Sequence, residues 1–184
     1  MAVRKMTDGV SGWNNSTPFP QNSYTIRCIE ETFGPSKSSG NPMITRKWEI
    51  VSPETVQIGD RQVSVAGQEI TEYLTCKVKN EDGDGWNVAK SDKAFGRLRD
   101  DLLLLGADAS SDIDDENPPT IARGLEVIAY VYAKEQARLA APTPEQLAKG
   151  QKQGSPVMVD GKEVKRYDLA IGEKYKLVSK SGGL

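Results

Sequence analysis

"GPSKSSGNPMITRKWEIVSP", residues Gly34 to Pro53, joins a small-residue turn to an alternating strand. Gly, Pro, Ser and Asn dominate Gly34 to Pro42, residues that supply the positive or fixed φ angles of tight turns. From Met43 to Val51 the pattern has a period of two. Ile44, Arg46, Trp48 and Ile50 share one side, and Met43, Thr45, Lys47, Glu49 and Val51 share the other. Neither side is purely apolar, which suits a strand that serves both a core and a groove. Upstream, Ser23 to Phe33 is a first strand, with Tyr24, Ile26 and Cys28 on one face and Thr25 and Arg27 on the other. The quoted stretch is therefore the turn and second arm of a hairpin.

Downstream, Val56 to Val65 turns at "GDRQ" as a small hairpin, and Ile70 to Val78 is the third main strand, with Ile70, Leu74, Cys76 and Val78 inward. "NEDGDGWN" is a turn. A helix is expected over Asp92 to Leu105, with Ser91 as N-cap, Phe95, Leu98, Leu102 and Leu105 at helical spacing, and Gly106 as the stop. An acidic loop with two prolines leads to a fourth strand, Gly124 to Lys134, and residues 135–161 are a long insertion that reads mostly as a mobile linker. Lys162 to Ser179 forms the last strand or hairpin, interrupted at Gly172. Residues 1–22 read as a flexible arm that docks, if at all, through Trp13 and Phe19, and residues 179–184 as a disordered tail. One domain over residues 23–178 is expected. Three strands, a helix and two strands is the order of a five-stranded OB-fold-like Greek-key barrel, mainly β, with a helix between strands three and four and long loop insertions. An antiparallel sheet packed by one helix in some other way is the alternative.

Composition narrows the chemistry. The chain has 184 residues, 37% of them hydrophobic, with 17 glycines and 10 prolines, so a modest β core with long polar loops is expected. It contains no histidine, which excludes Ser-His and Cys-His nucleophile pairs. Cys28 and Cys76 are too far apart for a C-x-x-C motif and read as buried thiols in a reducing compartment. No phosphate-cradling glycine motif occurs. The expectation is a protein that is not an enzyme, with no catalytic residues, no metal and no cofactor. The longest strongly apolar run, Leu102 to Leu105, is too short to cross a bilayer, so no membrane association is expected. Net charge is −2, with an acidic excess over residues 80–133 and a basic one over residues 134–184.

"NSYTIRCIEE", "SKSSGNPMITRKWEIVSP", "KAFGRLRDDLLLLGAD", "GLEVIAYVYAKEQ" and "GKEVKRYDLAI" occur in that order. Together they resemble a diffuse group of small bacteriophage proteins from replication and recombination gene modules, regarded as OB-fold single-stranded DNA-binding proteins. The resemblance spans most of residues 22–178, and "KSSGNPMI", "LGAD" and "GKEVKRY" are its most characteristic pieces. It implies a viral protein that coats and protects single-stranded DNA without sequence specificity, in the cytoplasm of an infected bacterial cell. Phage or host replication and recombination enzymes, and further copies of the chain, are the other partners it implies. The chain departs from the group at its end: "KYKLVSKSGGL" is short and basic, and the acidic run is internal, Asp108 to Glu116.

Single-strand binding needs cations that follow phosphates and flat side chains that stack on bases. Strands two and three, with the loops joining one to two and four to five, form the groove of such a barrel. Arg27, Lys37, Arg46, Lys47, Trp48, Tyr73, Lys77 and Lys79 lie on or near those elements, Trp86 on the turn before the helix, and Lys165, Arg166 and Tyr167 on the last strand. These twelve are the expected nucleic-acid contacts. Trp48 shares a face with Ile44 and Ile50 and reads equally as core, and Arg46 as a buried stem with its head in water. Tyr73 opposes the apolar set of its strand. Trp86 either caps the barrel or stacks on a base, and Tyr130 and Tyr132 either stack or pack beneath the acidic loop. The competing function is a virion structural or assembly protein, or an adaptor, that buries protein on the same small barrel.

Overall fold

A computed structural model describes residues 11–172 and 176–178. The first ten residues of the expected arm, and the tail over residues 179–184, lie outside the described residues. The first half contains β1 (Ser11–Gly12), β2 (Asn22–Pro35), β3 (Pro42–Ser52), β4 (Thr55–Ile58), β5 (Arg61–Ser64) and β6 (Glu69–Thr75). The second contains α1 (Val88–Leu104), β7 (Glu126–Ala137), α2 (Pro144–Ala148), β8 (Met158–Val159), β9 (Lys162–Glu163), β10 (Lys165–Ile171) and β11 (Lys176–Leu177).

The hairpin read from the sequence is β2 and β3. Its loop is tighter than expected, because Gly34 pairs with Met43 and Pro35 with Pro42. The Ser36 amide donates to the Asn41 carbonyl at 2.8 Å, and Gly40 turns the chain at φ 67°. A β-bulge shifts the register between Cys28 and Glu30. Strict alternation after Cys28 would carry Glu30 inward. One extra residue reverses that parity, so Glu31 faces inward opposite Arg46, and Phe33 follows opposite Ile44.

All neighbours in the main sheet are antiparallel, in the order β10-β7-β2-β3-β6, and β11 continues along β7 beyond Gly172. Four successive reversals make β6 and β10, the two edges, run parallel to each other. They approach within 8 Å, Cα to Cα, but no ladder joins them. The architecture is mainly β, with its sheets not closed into a barrel. Among the described residues no helix is long and apolar enough to cross a membrane.

The main core cluster lies under β2, β3 and β7 and includes Tyr24, Ile26, Trp48, Ile50 and Val127. A second cluster joins Ile44 and Cys76 to Leu98 and Leu102 of α1. Over residues 11–22 the arm is docked, through the Trp13 and Phe19 that the sequence singles out. Trp13 and Phe19 are buried, with ring centroids 5.2 Å apart and edge to face, and the Trp13 amide donates to the Ser64 carbonyl. Cys28 and Cys76 are free, buried thiols, and burial pushes each up to about 11.

The helix starts one turn earlier than expected. Asn87 is the N-cap, its Oδ1 accepting from the Lys90 amide at 3.0 Å. Ser91 is buried instead, and its hydroxyl both accepts from the Val78 amide and donates to the Val78 carbonyl. Both residue types cap helices well, and here the serine satisfies the chain leaving β6. The segment over residues 135–161 is also more structured than a linker. It completes β7, holds α2 behind a Thr143–Gln146 capping box, and begins the β8–β9 hairpin.

Candidate nucleic-acid interface

β6 is an edge strand whose alternation separates two environments. Ile70 is buried, whereas Glu69, Thr71 and Tyr73 face outward, Tyr73 with 65% of its surface exposed. An exposed tyrosine of that size is where a flat ligand would be accommodated. Beside it, α1 presents a second wall. The buried stripe Ser91, Ala94, Leu98 and Leu102 fixes the orientation of α1, which leaves Lys90, Lys93 and Arg97 along its flank. Together with Asn41, Tyr73 and Thr75, these cations line an open groove of about 370 Å³ between β6 and α1.

One end of the groove is organised by the β2–β3 turn. The Lys79 amide donates to Asn41 Oδ1 at 2.9 Å, and Lys79 bridges to Trp86. Over the half-buried Trp86 ring, Lys77 Nζ lies 4.9 Å and Lys79 Nζ 6.0 Å from the centroid. Turn, indole and the start of α1 are thereby gathered at one end, with exposed Lys37 on the turn.

The twelve expected residues divide into three groups. Arg46 and Trp48 are corrections, because both belong to the core. Arg46 is 1% exposed, with Glu31 at 2.8 Å, Asp101 at 2.7 Å and Glu72 at 3.5 Å. Trp48 is fully buried and donates Nε1–H to Glu72 at 3.0 Å. Neither meets solvent, so neither can hold a phosphate or stack on a base in this structure. Burial raises the Glu72 carboxyl above its ordinary value, with Asp101 adding to the effect and Arg46 opposing it.

A second group is exposed or half-exposed but paired within the chain. Arg27 holds Glu126 at 2.6 Å and Glu49 at 3.4 Å, and Lys47 holds Glu30 at 2.7 Å. Lys77 reaches Glu116 at 2.6 Å and Asp115 at 3.4 Å, so the internal acidic run neutralises a cation of this chain. Lys165 pairs with Glu163, and Arg166 with Asp168. Hydrogen bonds donated to these carboxylates raise the pKa values of Arg27, Lys47, Lys77 and Lys165. Tyr167 packs toward the core on β10, half-buried, with its hydroxyl near Glu135.

The third group lies at the groove. Tyr73 lines it, Trp86 and Lys79 stand at its end, and Lys37 occupies the adjoining turn. Lys37 and Lys79 make no ion pair among the described residues. The same holds for Lys93 and Arg97, which the sequence reading passed over, while Lys90 approaches Glu81 at 3.5 Å. Their signal was the spacing of three cations at i, i+3 and i+7. No protein-family model, curated protein or solved structure matches the chain.

Proposed function

We propose that the chain is an OB-type single-stranded DNA-binding protein that carries the strand in the groove between β6 and α1. The observation that carries this reading is Tyr73, exposed on β6 beside Lys93 and Arg97 of α1. It offers a stacking face and two cations without an ion pair among the described residues, on opposite walls of one groove, the two elements single-strand recognition needs. The fold supports it as well. With β6 and β10 close but unjoined, the strand order agrees with the Greek-key order expected of an OB barrel, and α1 falls between the strands that would be its third and fourth. Together with the resemblance in the sequence, this favours a bacteriophage protein acting in replication or recombination without catalysis. In the infected cell it would protect transient single strands and meet the enzymes that act on them.

Titration of a labelled mixed-sequence oligonucleotide at several salt concentrations tests the reading. The wild type should bind with a salt-dependent affinity, and Lys93→Glu with Arg97→Glu should weaken binding and reduce the log–log salt slope by about 1.4, at roughly 0.7 per phosphate contact. Tyr73→Ala should weaken binding with little change in that slope. Absence of binding at low salt would overturn the proposal.

One observation favours the adaptor reading for a different face. Ile128 and Tyr130, on the outer face of β7, are 44% and 40% exposed. Tyr132 shares that face and, with Tyr130, flanks a notch over Gly172. An apolar stripe of this kind is suited to protein contact and lies on a different strand from the proposed groove.

A further inference from the structure

The seam between the unjoined edges β6 and β10 holds a second cleft, of about 620 Å³, which shares Tyr73 with the groove along α1. A strand stacked on Tyr73 can therefore direct a base into either space. The two spaces differ in chemistry. Among the described residues, no lysine or arginine lines the seam. Its walls combine the rings of Tyr73 and Tyr167 with the amides of Asn15 and Gln68 and the carboxylates of Glu69 and Asp168. Phosphate is disfavoured beside two carboxylates. A base edge that donates hydrogen bonds is favoured, because carboxylates accept from exocyclic amines and side-chain amides can both accept and donate.

Glu69 makes no ion pair among the described residues, while Asp168 is shared with Arg166 at 3.1 Å. Glu69, held by no such contact and attracted by Lys47 only at longer range, is thus the less committed carboxylate and the one placed to read a base. An added peptide strand fits the seam less well, since the Tyr167 amide on the β10 edge already donates to the Asn15 carbonyl at 2.8 Å. We infer that the seam is a base pocket selective for nucleobases with an exocyclic amine, so cytosine binds better than thymine. This rests on the proposed single-strand function and replaces its base-neutral form with a preference set by Glu69 and Asp168.

The test compares fluorescence anisotropy of oligo-dC and oligo-dT of about 12 nucleotides, within the usual site size, at about 50 mM salt. The two pyrimidine strands carry the same backbone charge, so a difference reports the base edge. Oligo-dC is expected to bind about tenfold more tightly, the lower part of the range for a well-made base contact. Glu69→Gln should abolish most of that preference while leaving oligo-dT binding equal or stronger, since a negative charge is removed. Equal affinities in the wild type would overturn the inference while leaving the single-strand function standing. So would a preference unchanged in both Glu69→Gln and Asp168→Asn. Failure of both oligomers to bind would instead overturn the single-strand function, and the base pocket with it.

Discussion

Arg46→Met is the most searching perturbation of this fold, because methionine fits the space of the side-chain stem and removes only the charge and its hydrogen bonds. Around the guanidinium stand Glu31, 1% exposed at its side chain, Asp101 at 13% and Glu72 at 24%. At an effective dielectric of about 20, one unit pair about 4 Å apart is worth about 4 kcal/mol. Three such attractions are opposed by desolvation of the arginine and by repulsion among the carboxylates. Removing the cation these three carboxylates share reverses the balance, since the carboxylates remain buried and repel one another. The expected loss is about 3–5 kcal/mol, the usual cost of stripping one partner from a buried charge cluster. That is a large part of the roughly 5–15 kcal/mol available to a domain. Urea unfolding followed by tryptophan emission measures it, and with an m-value of about 2 kcal/mol/M the midpoint falls by about 2 M. Glu72, whose carboxyl burial already raises, takes up a proton more readily once the guanidinium is gone, so the deficit should be largest at pH 7 and shrink as the pH falls into the carboxylate range. A loss below about 1 kcal/mol, the worth of an exposed pair, would refute the reasoning, as would a deficit that does not change with pH.

Two further outcomes follow from the same packing. The Glu72 carboxyl is raised chiefly by burial, so the stability linked to its protonated form is present below its unfolded pKa and is lost as pH rises through its folded one. Glu72→Gln should therefore gain on the wild type between about pH 4.3, the unfolded value, and pH 7, with the amide oxygen still accepting from Trp48; chemical denaturation at both pH values decides it, and a change in the opposite sense refutes it. At Gly172 an added Cβ would lie 2.9 Å from Tyr130 Cδ1 and 3.4 Å from Tyr132 Cδ1, so Gly172→Ala should cost about 1–3 kcal/mol by overpacking, and an unchanged melting curve would show that the rings yield freely.

How far the sequence reveals this architecture depends on the range of the interaction involved. The alternation of Ile44, Arg46, Trp48 and Ile50 is local, and the single face it gives them is buried throughout rather than shared with a groove. What alternation cannot show is that an arginine on that face is tolerable. That depends on Glu31, Glu72 and Asp101 arriving from β2, β6 and α1, and Glu31 arrives only because the bulge after Cys28 reverses the strand's parity. The helix is legible from its apolar spacing. Its first turn is not, because Asn87 and Ser91 are both good caps, and only the position of Val78 shows which side chain is needed elsewhere. The candidate site is half legible in the same sense. Tyr73 stands out by opposing its strand's apolar set, but the cations facing it come from a helix whose rotation is fixed by the core beneath.

Pairing within the chain explains why a count of basic residues locates a binding surface poorly. Lys47 and Arg27 lie opposite or beside carboxylates through strand register, and Lys165 beside one through its own hairpin. In the proposed complex each would share its charge between a carboxylate and an incoming phosphate. Exposed pairs of this kind contribute only about 0–1 kcal/mol, so they can exchange, but the carboxylate set free remains near the phosphate and cancels much of the gain. Lys93 and Arg97 carry no such opposition from an ion-paired carboxylate, and they line the groove that Tyr73 enters. The net charge of −2 is therefore compatible with a polyanion ligand, since the field a strand meets is set by local cations within about a Debye length of 10 Å rather than by the total.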